Sequence, residues 1–244
     1  MVAALTVERD GPIARLRIEP SAKLDRAFAI ELEGACASIN DEADVRVAVL
    51  SLPGGAPAYP DEHLGPAEQR RFLEEHPPFA CLEAMGQPVI CAISGEAIGA
   101  GLELALACDI RIAAEGARFG FEGFPAAGGT QRLPRLIGRG EALRLLLLDE
   151  TIDAAEALRI GLVSAVHPPD KLLAEADALA RRMASRGPIA LRYAKEAVRR
   201  GLELPLDQAL RYETDLTVIL QTTEDRAEGV RAFREKREPE FKGR

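Results

Sequence analysis

The sequence predicts an α/β fold built with crossover connections and closed by a run of helices, on three observations. Short apolar, strand-like runs alternate with amphipathic helical stretches over the first two thirds of the chain. The chain opens on two alternating segments, ALTVER and IARLRIE, that meet at Asp10-Gly11, a dipeptide suited to a tight turn with positive φ. From Thr130 onward helical periodicity dominates.

Taken in order, residues 3–18 read as a β-hairpin, with Pro12 at a strand start where its missing N–H does no harm. KLDRAFAIELEGACASINDE follows as a helix, with Ala27, Phe28, Ile30, Leu32, Ala35 and Ile39 on its apolar face. Residues 45–52 form an apolar strand stopped by Pro53-Gly54-Gly55, which completes a ββα opening followed by a further strand. The proline-rich stretch 56–78 reads as an excursion holding one short helix around EQRRFLEE. Residues 88–93 read as a buried strand, 99–108 as a helix and 109–113 as another strand. Three short helices, 131–137, 141–148 and 154–159, are broken by glycines, and 162–166 is a last strand. A longer amphipathic helix starts at Asp170, and three more lie near 188–200, 205–221 and 224–236, the last with Thr222 or Thr223 as N-cap.

Composition narrows the function. The chain has 244 residues, 47% of them apolar, enough to bury a substantial core as one domain or one domain with a helical appendage. Lys and Arg total 31 against 39 Asp and Glu, so the net charge of -8 gives no footprint for nucleic acid or an anionic membrane. Cys36, Cys81, Cys91 and Cys108 lack any paired spacing and, with three scattered histidines, make no metal-ligand pattern. They read as free thiols of a soluble, cytoplasmic protein. No apolar run approaches the roughly 18 residues of a membrane span.

The chemistry concentrates in residues 88–132. Glu103 sits among Ala100, Gly101, Leu102, Leu104, Ala105, Leu106 and Ala107, where a charge is rarely buried without a partner or a task. Its alternatives are a base for proton transfer or a structural pairing with Arg111 or Arg118. Gly95, Gly99 and Gly101 lack the GxGxxG spacing of a dinucleotide site. Small residues at 99–101 instead open a helix whose first amides have no internal partner and can hold a negative oxygen, such as an oxyanion on a thioester carbonyl. Glu122, in RFGFEGFP, is a second acid set among aromatic side chains, a setting that would raise its pKa and suit it to proton transfer. Gly128-Gly129-Thr130-Gln131 reads as a tight turn opening a helix.

PVICAISGEAIGAGLELALACDIRIAAEGARF followed by PAAGGTQRLPRLIG resembles the signature of the enoyl-CoA hydratase/isomerase (crotonase) superfamily. The likeness extends over nearly the whole chain, through IDAAEALRIGLVSAVHPPDKL to the ending EGVRAFREKREPEF. It implies a crotonase-like spiral of ββα units over 1–186, carrying the CoA and active sites, and a C-terminal helical trimerisation region over 187–244. A homotrimer or hexamer would follow.

The resemblance also implies roles. The N–H groups of Ala100 and Asp61 would bind the acyl-CoA thioester oxygen, and Glu103 and Glu122 would place and activate water. Lys23 and Leu24 in KLDRAF, with Phe233 and Lys236 in AFREKR, would hold CoA, the latter two across a subunit boundary. No metal and no cofactor is implied, coenzyme A being part of the substrate. The chain departs from the family pattern at Pro60, where glycine is usual, and in FGFEGFPAA, which is shortened and lacks the proline before the acid. Hydration of an enoyl-CoA is the leading expectation. Isomerisation, thioester hydrolysis, decarboxylation, or a catalytically silent acyl-CoA-binding paralogue are the alternatives.

Overall fold

The computed structural model describes residues 4–59 and 65–244. Strands β1 (Leu5–Asp10) and β2 (Ile13–Ile18) pair antiparallel around Gly11, which takes the positive φ of 57° that the Asp-Gly turn demands. Helix α1 (Arg26–Asp41) starts where the Asp25 carboxylate accepts the Phe28 N–H at 2.9 Å. Its buried stripe is Phe28, Leu32, Cys36 and Ile39. Ile30, expected on that face, is 53% exposed, because two residues along a helix turn a side chain by about 200°.

Strand β3 (Val47–Leu52) is followed by α2 (Pro66–Glu75), α3 (Ala80–Ala84), β4 (Val89–Ile93), β5 (Glu96–Ile98), α4 (Ala100–Leu106), β6 (Ile110–Ala114) and β7 (Arg118–Gly120). Then come α5 (Gly129–Ile137), α6 (Arg139–Leu148), β8 (Ile152–Asp153), α7 (Ala154–Arg159), β9 (Ala165–His167), α8 (Leu172–Ala184), α9 (Pro188–Gly201), α10 (Leu206–Gln221) and α11 (Glu224–Glu235). The main sheet runs in the order β1-β2-β3-β4-β6-β9 and is parallel from β2 onward; β5, β7 and β8 form a separate small sheet. The last strand of the main sheet begins later than the expected 162–166. Leu162 and Val163 are instead buried core residues, with the Leu162 N–H bonded to the Ala157 carbonyl at 2.8 Å.

The near-continuous apolar runs of β3 and β4 have a packing cause, since both faces of these strands are covered. Ala48, Leu50, Leu52, Val89, Cys91 and Ile93 face one core with Phe28 and Leu32 of α1 and Leu102 of α4. Val47, Val49, Ile90 and Ala92 face the other, beneath Leu172, Ala176 and Ala180 of α8. The first of these cores walls the site described below. Among the described residues no helix is long and apolar enough to cross a membrane, and no cluster of three or more His, Cys, Asp or Glu side chains is placed to hold a metal.

At the far end, Thr223 caps α11 by accepting the Arg226 N–H at 3.1 Å. The terminal segment folds back on this helix through two buried acids. Asp225 accepts the N–H groups of Lys242 and Gly243 at 2.6 and 2.9 Å, and Glu228 accepts the Glu240 N–H at 3.0 Å. Arg237, then Arg231 and the Glu240 N–H, hold the Glu228 carboxyl well below the usual carboxylate range. A depressed folded value means that this attachment is complete above the unfolded value of about 4.3 and is lost as pH falls toward the folded one. Hydrogen-exchange protection of the Glu240 amide, corrected for its intrinsic rate, is therefore expected to hold above about pH 5 and to fall between about pH 4 and pH 2. Protection that stays constant over that range would refute the assignment.

Candidate active site

Helix α4 is buried along its whole length, and Glu103 on it is 0% exposed. Burying a carboxylate is costly unless donors replace its water, and three do. Oε1 accepts the N–H groups of Ala127 at 2.8 Å and Gly129 at 2.6 Å, and Oε2 accepts the hydroxyl of Tyr59. Gly129 is the first residue of α5, so the acid sits at a helix N-terminus, where free amides and the dipole favour negative charge. The Gly-Gly turn thus does more than open a helix, because it delivers a donor to Glu103.

The other pairing considered for this acid, with Arg111, is not formed. The buried Arg111 guanidinium donates to the carbonyls of Cys108 at 2.6 Å, Leu162 at 2.9 Å and Ala105 at 3.3 Å. The Ala105 and Cys108 carbonyls lie at and just beyond the C-terminal end of α4, where a cation is favoured, and the Leu162 carbonyl follows α7. Arg118 is exposed.

The loop that supplies the Ala127 N–H is clamped from behind. Arg132 donates to the Ala127 carbonyl at 2.7 Å and to the Pro78 carbonyl at 3.0 Å, and pairs with Glu83 at 2.7 Å. Tyr59 comes from the proline-rich excursion and is half-buried. Its oxygen accepts the Ala126 N–H at 3.1 Å while its proton is directed to Glu103. Its ring lies against Gly99, where an added β-carbon would stand 3.2 Å from the ring edge. Gly99 also has φ of 54°, so both backbone and contact call for glycine just before Ala100. Burial, and after it the bond to Glu103, push the Tyr59 hydroxyl above the ordinary phenol range, so it carries its proton at neutral pH.

The remaining site candidates divide by location. Ala100 opens α4, 1% exposed, and its N–H has no acceptor within the helix, one turn before Glu103. Asp61 lies outside the described residues. Lys23 is half-buried and Leu24 buried, and their turn is joined to the Tyr59 strip: the Leu24 N–H donates to the Ala58 carbonyl at 2.7 Å, and the Ala58 N–H to Ala22 at 3.0 Å. Phe233 is 84% exposed on α11, and Lys236 caps that helix in solvent with φ of 54°.

Glu122 is exposed rather than enclosed by its aromatic neighbours. Phe121 turns inward to 2% exposure while Phe124 stands 86% exposed, so no aromatic walls surround the carboxylate. Glu103 draws its three donors from Tyr59, Ala127 and Gly129. Tyr59 escaped sequence reasoning because it is 44 residues from Glu103, in a stretch with no periodicity. The only signal was one of three tyrosines in the chain standing among prolines.

Comparison with known proteins places the chain among enoyl-CoA hydratases and isomerases. The family model described as enoyl-CoA hydratase/isomerase matches residues 65–244. The chain is 38% identical over 252 residues to crotonyl-CoA hydratase of Syntrophomonas wolfei, covering 97% of each protein. It is 36% identical over 254 residues to the short-chain-enoyl-CoA hydratase of Clostridium acetobutylicum, covering 98% of this chain and 97% of that one. The crystal structure of an enoyl-CoA hydratase from Bacillus anthracis matches with a TM-score of 0.91 at 37% identity, over 99% of this chain and 100% of that one.

Proposed function

On the premise that this chain belongs to the enoyl-CoA hydratase/isomerase family and is an enoyl-CoA hydratase-like enzyme, we propose that it adds water across the α,β double bond through an enolate held at the N-terminus of α4. The observation that carries this reading is a fully buried carboxylate, Glu103, one helical turn from the Ala100 N–H that opens α4. In the reaction the thioester oxygen accepts from Ala100 and from the Asp61 N–H, which stabilises the charge that develops as water attacks Cβ. Glu103 takes the proton of that water as general base. Lys23 and Leu24 hold the nucleotide end of CoA, and Phe233 and Lys236 reach the CoA of an adjoining subunit.

The test is to offer 2-enoyl-CoA esters of increasing chain length, follow loss of the conjugated thioester absorbance and identify the product. A 3-hydroxyacyl-CoA supports the reading. A shifted double bond or free CoA as the main product sinks it in favour of isomerisation or hydrolysis.

Glu122, the second acid implied by the family, acts in this reading from the solvent side of the loop. Its exposure sets the expected size of its effect: Glu122→Gln should lower kcat less than about tenfold, below the usual range for a positioned acid or base. A larger loss with KM unchanged would show that the loop brings Glu122 onto the substrate.

The helical region over 187–244 assembles the chain into a trimer or hexamer. This is supported by Val198, Leu202, Leu206, Leu210 and Val218, each more than half exposed on or beside α9 and α10. The unpaired thiols of Cys36, Cys81, Cys91 and Cys108 accord with a reducing cytoplasm.

A further inference from the structure

Glu103 has little room to meet water directly. Both lone pairs of Oε1 lie toward backbone amides, Oε2 receives the Tyr59 hydroxyl, and the residue is 0% exposed. Tyr59 is placed differently. It is half-buried, its ring packs on Gly99 beside the α4 N-terminus, and its oxygen is oriented by the Ala126 N–H. A phenol oxygen has two acceptor sites and one proton. Ala126 occupies one site and the proton is directed to Glu103, which leaves the second acceptor site, beside the α4 N-terminus, for a further donor such as water.

We propose that Tyr59 is the proton relay through which Glu103 serves the reacting water and the substrate α-carbon. The inference rests on the hydration reading above. As the water oxygen bonds to Cβ, its proton passes to the Tyr59 oxygen while the Tyr59 proton passes to Oε2 of Glu103. The π electrons move onto the thioester as an enolate. On return, the Glu103 proton passes to Tyr59 and the Tyr59 proton to Cα, whose new C–H bond takes the enolate electron pair. Water has been added across the double bond, and the carboxylate and the phenol are restored.

The geometry also explains the built support around the hydroxyl. A relay transfers protons well only along short, aligned hydrogen bonds, and three elements fix this one: the Ala126 amide, the Gly99 contact and the clamped loop behind Ala127.

The test is Tyr59→Phe, which keeps the ring on Gly99 and removes the hydroxyl alone. Expected are a kcat lower by on the order of tenfold to a hundredfold, toward the contribution of a positioned proton-transfer group, KM within about threefold, and retained binding of a saturated acyl-CoA. Rates in mixtures of H₂O and D₂O should show a curved dependence on deuterium fraction for the wild type, from several protons in flight, and a straighter one for Tyr59→Phe. A kcat within twofold of wild type overturns the relay. So does a fallen kcat that keeps the wild-type deuterium dependence, since that marks Tyr59 as a support for Glu103 and no more. If Tyr59→Phe lost saturated acyl-CoA binding, the hydroxyl would be structural and the relay would likewise fall. Failure of the hydration reading is told apart by the wild-type product: if an enoyl-CoA yields no 3-hydroxyacyl-CoA, hydration is wrong whatever Tyr59→Phe does, and if Glu103→Gln still hydrates at the wild-type rate, only the general-base role is wrong.

Discussion

Glu103→Gln is expected to lower kcat for enoyl-CoA hydration on the order of a thousandfold, within the range for loss of a general base. The substitution is nearly isosteric. The amide oxygen can still accept the N–H groups of Ala127 and Gly129, and the amide NH₂ can donate to the Tyr59 oxygen, so all three contacts can be kept while the half-buried Tyr59 hydroxyl turns its own proton toward solvent. The fold should therefore survive, with a thermal midpoint within a few degrees of wild type and a KM within about threefold. A kcat within tenfold of wild type, on a variant that melts normally, would show that Glu103 is a structural acid. The alternative pairing that would have made it one, with Arg111, is absent because Arg111 is engaged by the carbonyls of Ala105 and Cys108 at the end of α4 and of Leu162 after α7.

The second large effect is expected from a single methyl group. A β-carbon at Gly129 would stand 2.8 Å from the Phe121 ring, 2.9 Å from the Pro125 side chain and 3.0 Å from Oε1 of Glu103. Two of these walls belong to the loop before α5 and the third to α4, so no one flexible side chain can yield to relieve all three. Gly129→Ala should cost about 1–3 kcal/mol of stability through overpacking. It should also displace the acid it supports, lowering kcat by about a hundredfold, the scale expected for an ångström of misplacement. Thermal unfolding and steady-state kinetics check the two halves separately. Full activity with an unchanged melting temperature would mean that the 121–129 loop yields freely, and the account of a tightly walled carboxylate would fail.

Both predictions depend on features of unequal legibility. Glu103 stood out in the sequence because a charge inside GAGLELALA has no solvent-facing position available to it on a helix that is apolar all round. Its hydrogen-bond partners did not stand out. Ala127 and Gly129 are 24 and 26 residues away and Tyr59 is 44 away, separations at which local patterns carry no information about contact. Glu122 failed as a buried acid for a related reason. Aromatic neighbours in sequence enclose a side chain only if both turn the same way, and Phe121 and Phe124 turn apart, one inward and one to solvent. The small sheet of β5, β7 and β8 escaped notice because strands of two or three residues show no period, and their pairing is fixed by α4 and α7 packing around them.

What the chain determined by itself was everything that depends on neighbours within a few turns. The Asp10-Gly11 hairpin, the Asp25 and Thr223 caps, the two-faced apolar strands and the burial of Glu103 follow from local sterics, capping and hydrophobic period. Only the tertiary structure decided which groups meet at that acid. Hydrogen-bond partners and exposure are set by how elements pack, and packing brought a tyrosine from a proline-rich loop, two amides from a glycine turn and an arginine clamp to one buried oxygen pair. The charge in the apolar helix announced that a site existed. Its composition, with Tyr59 at Glu103 and Glu122 left in solvent, came from the fold.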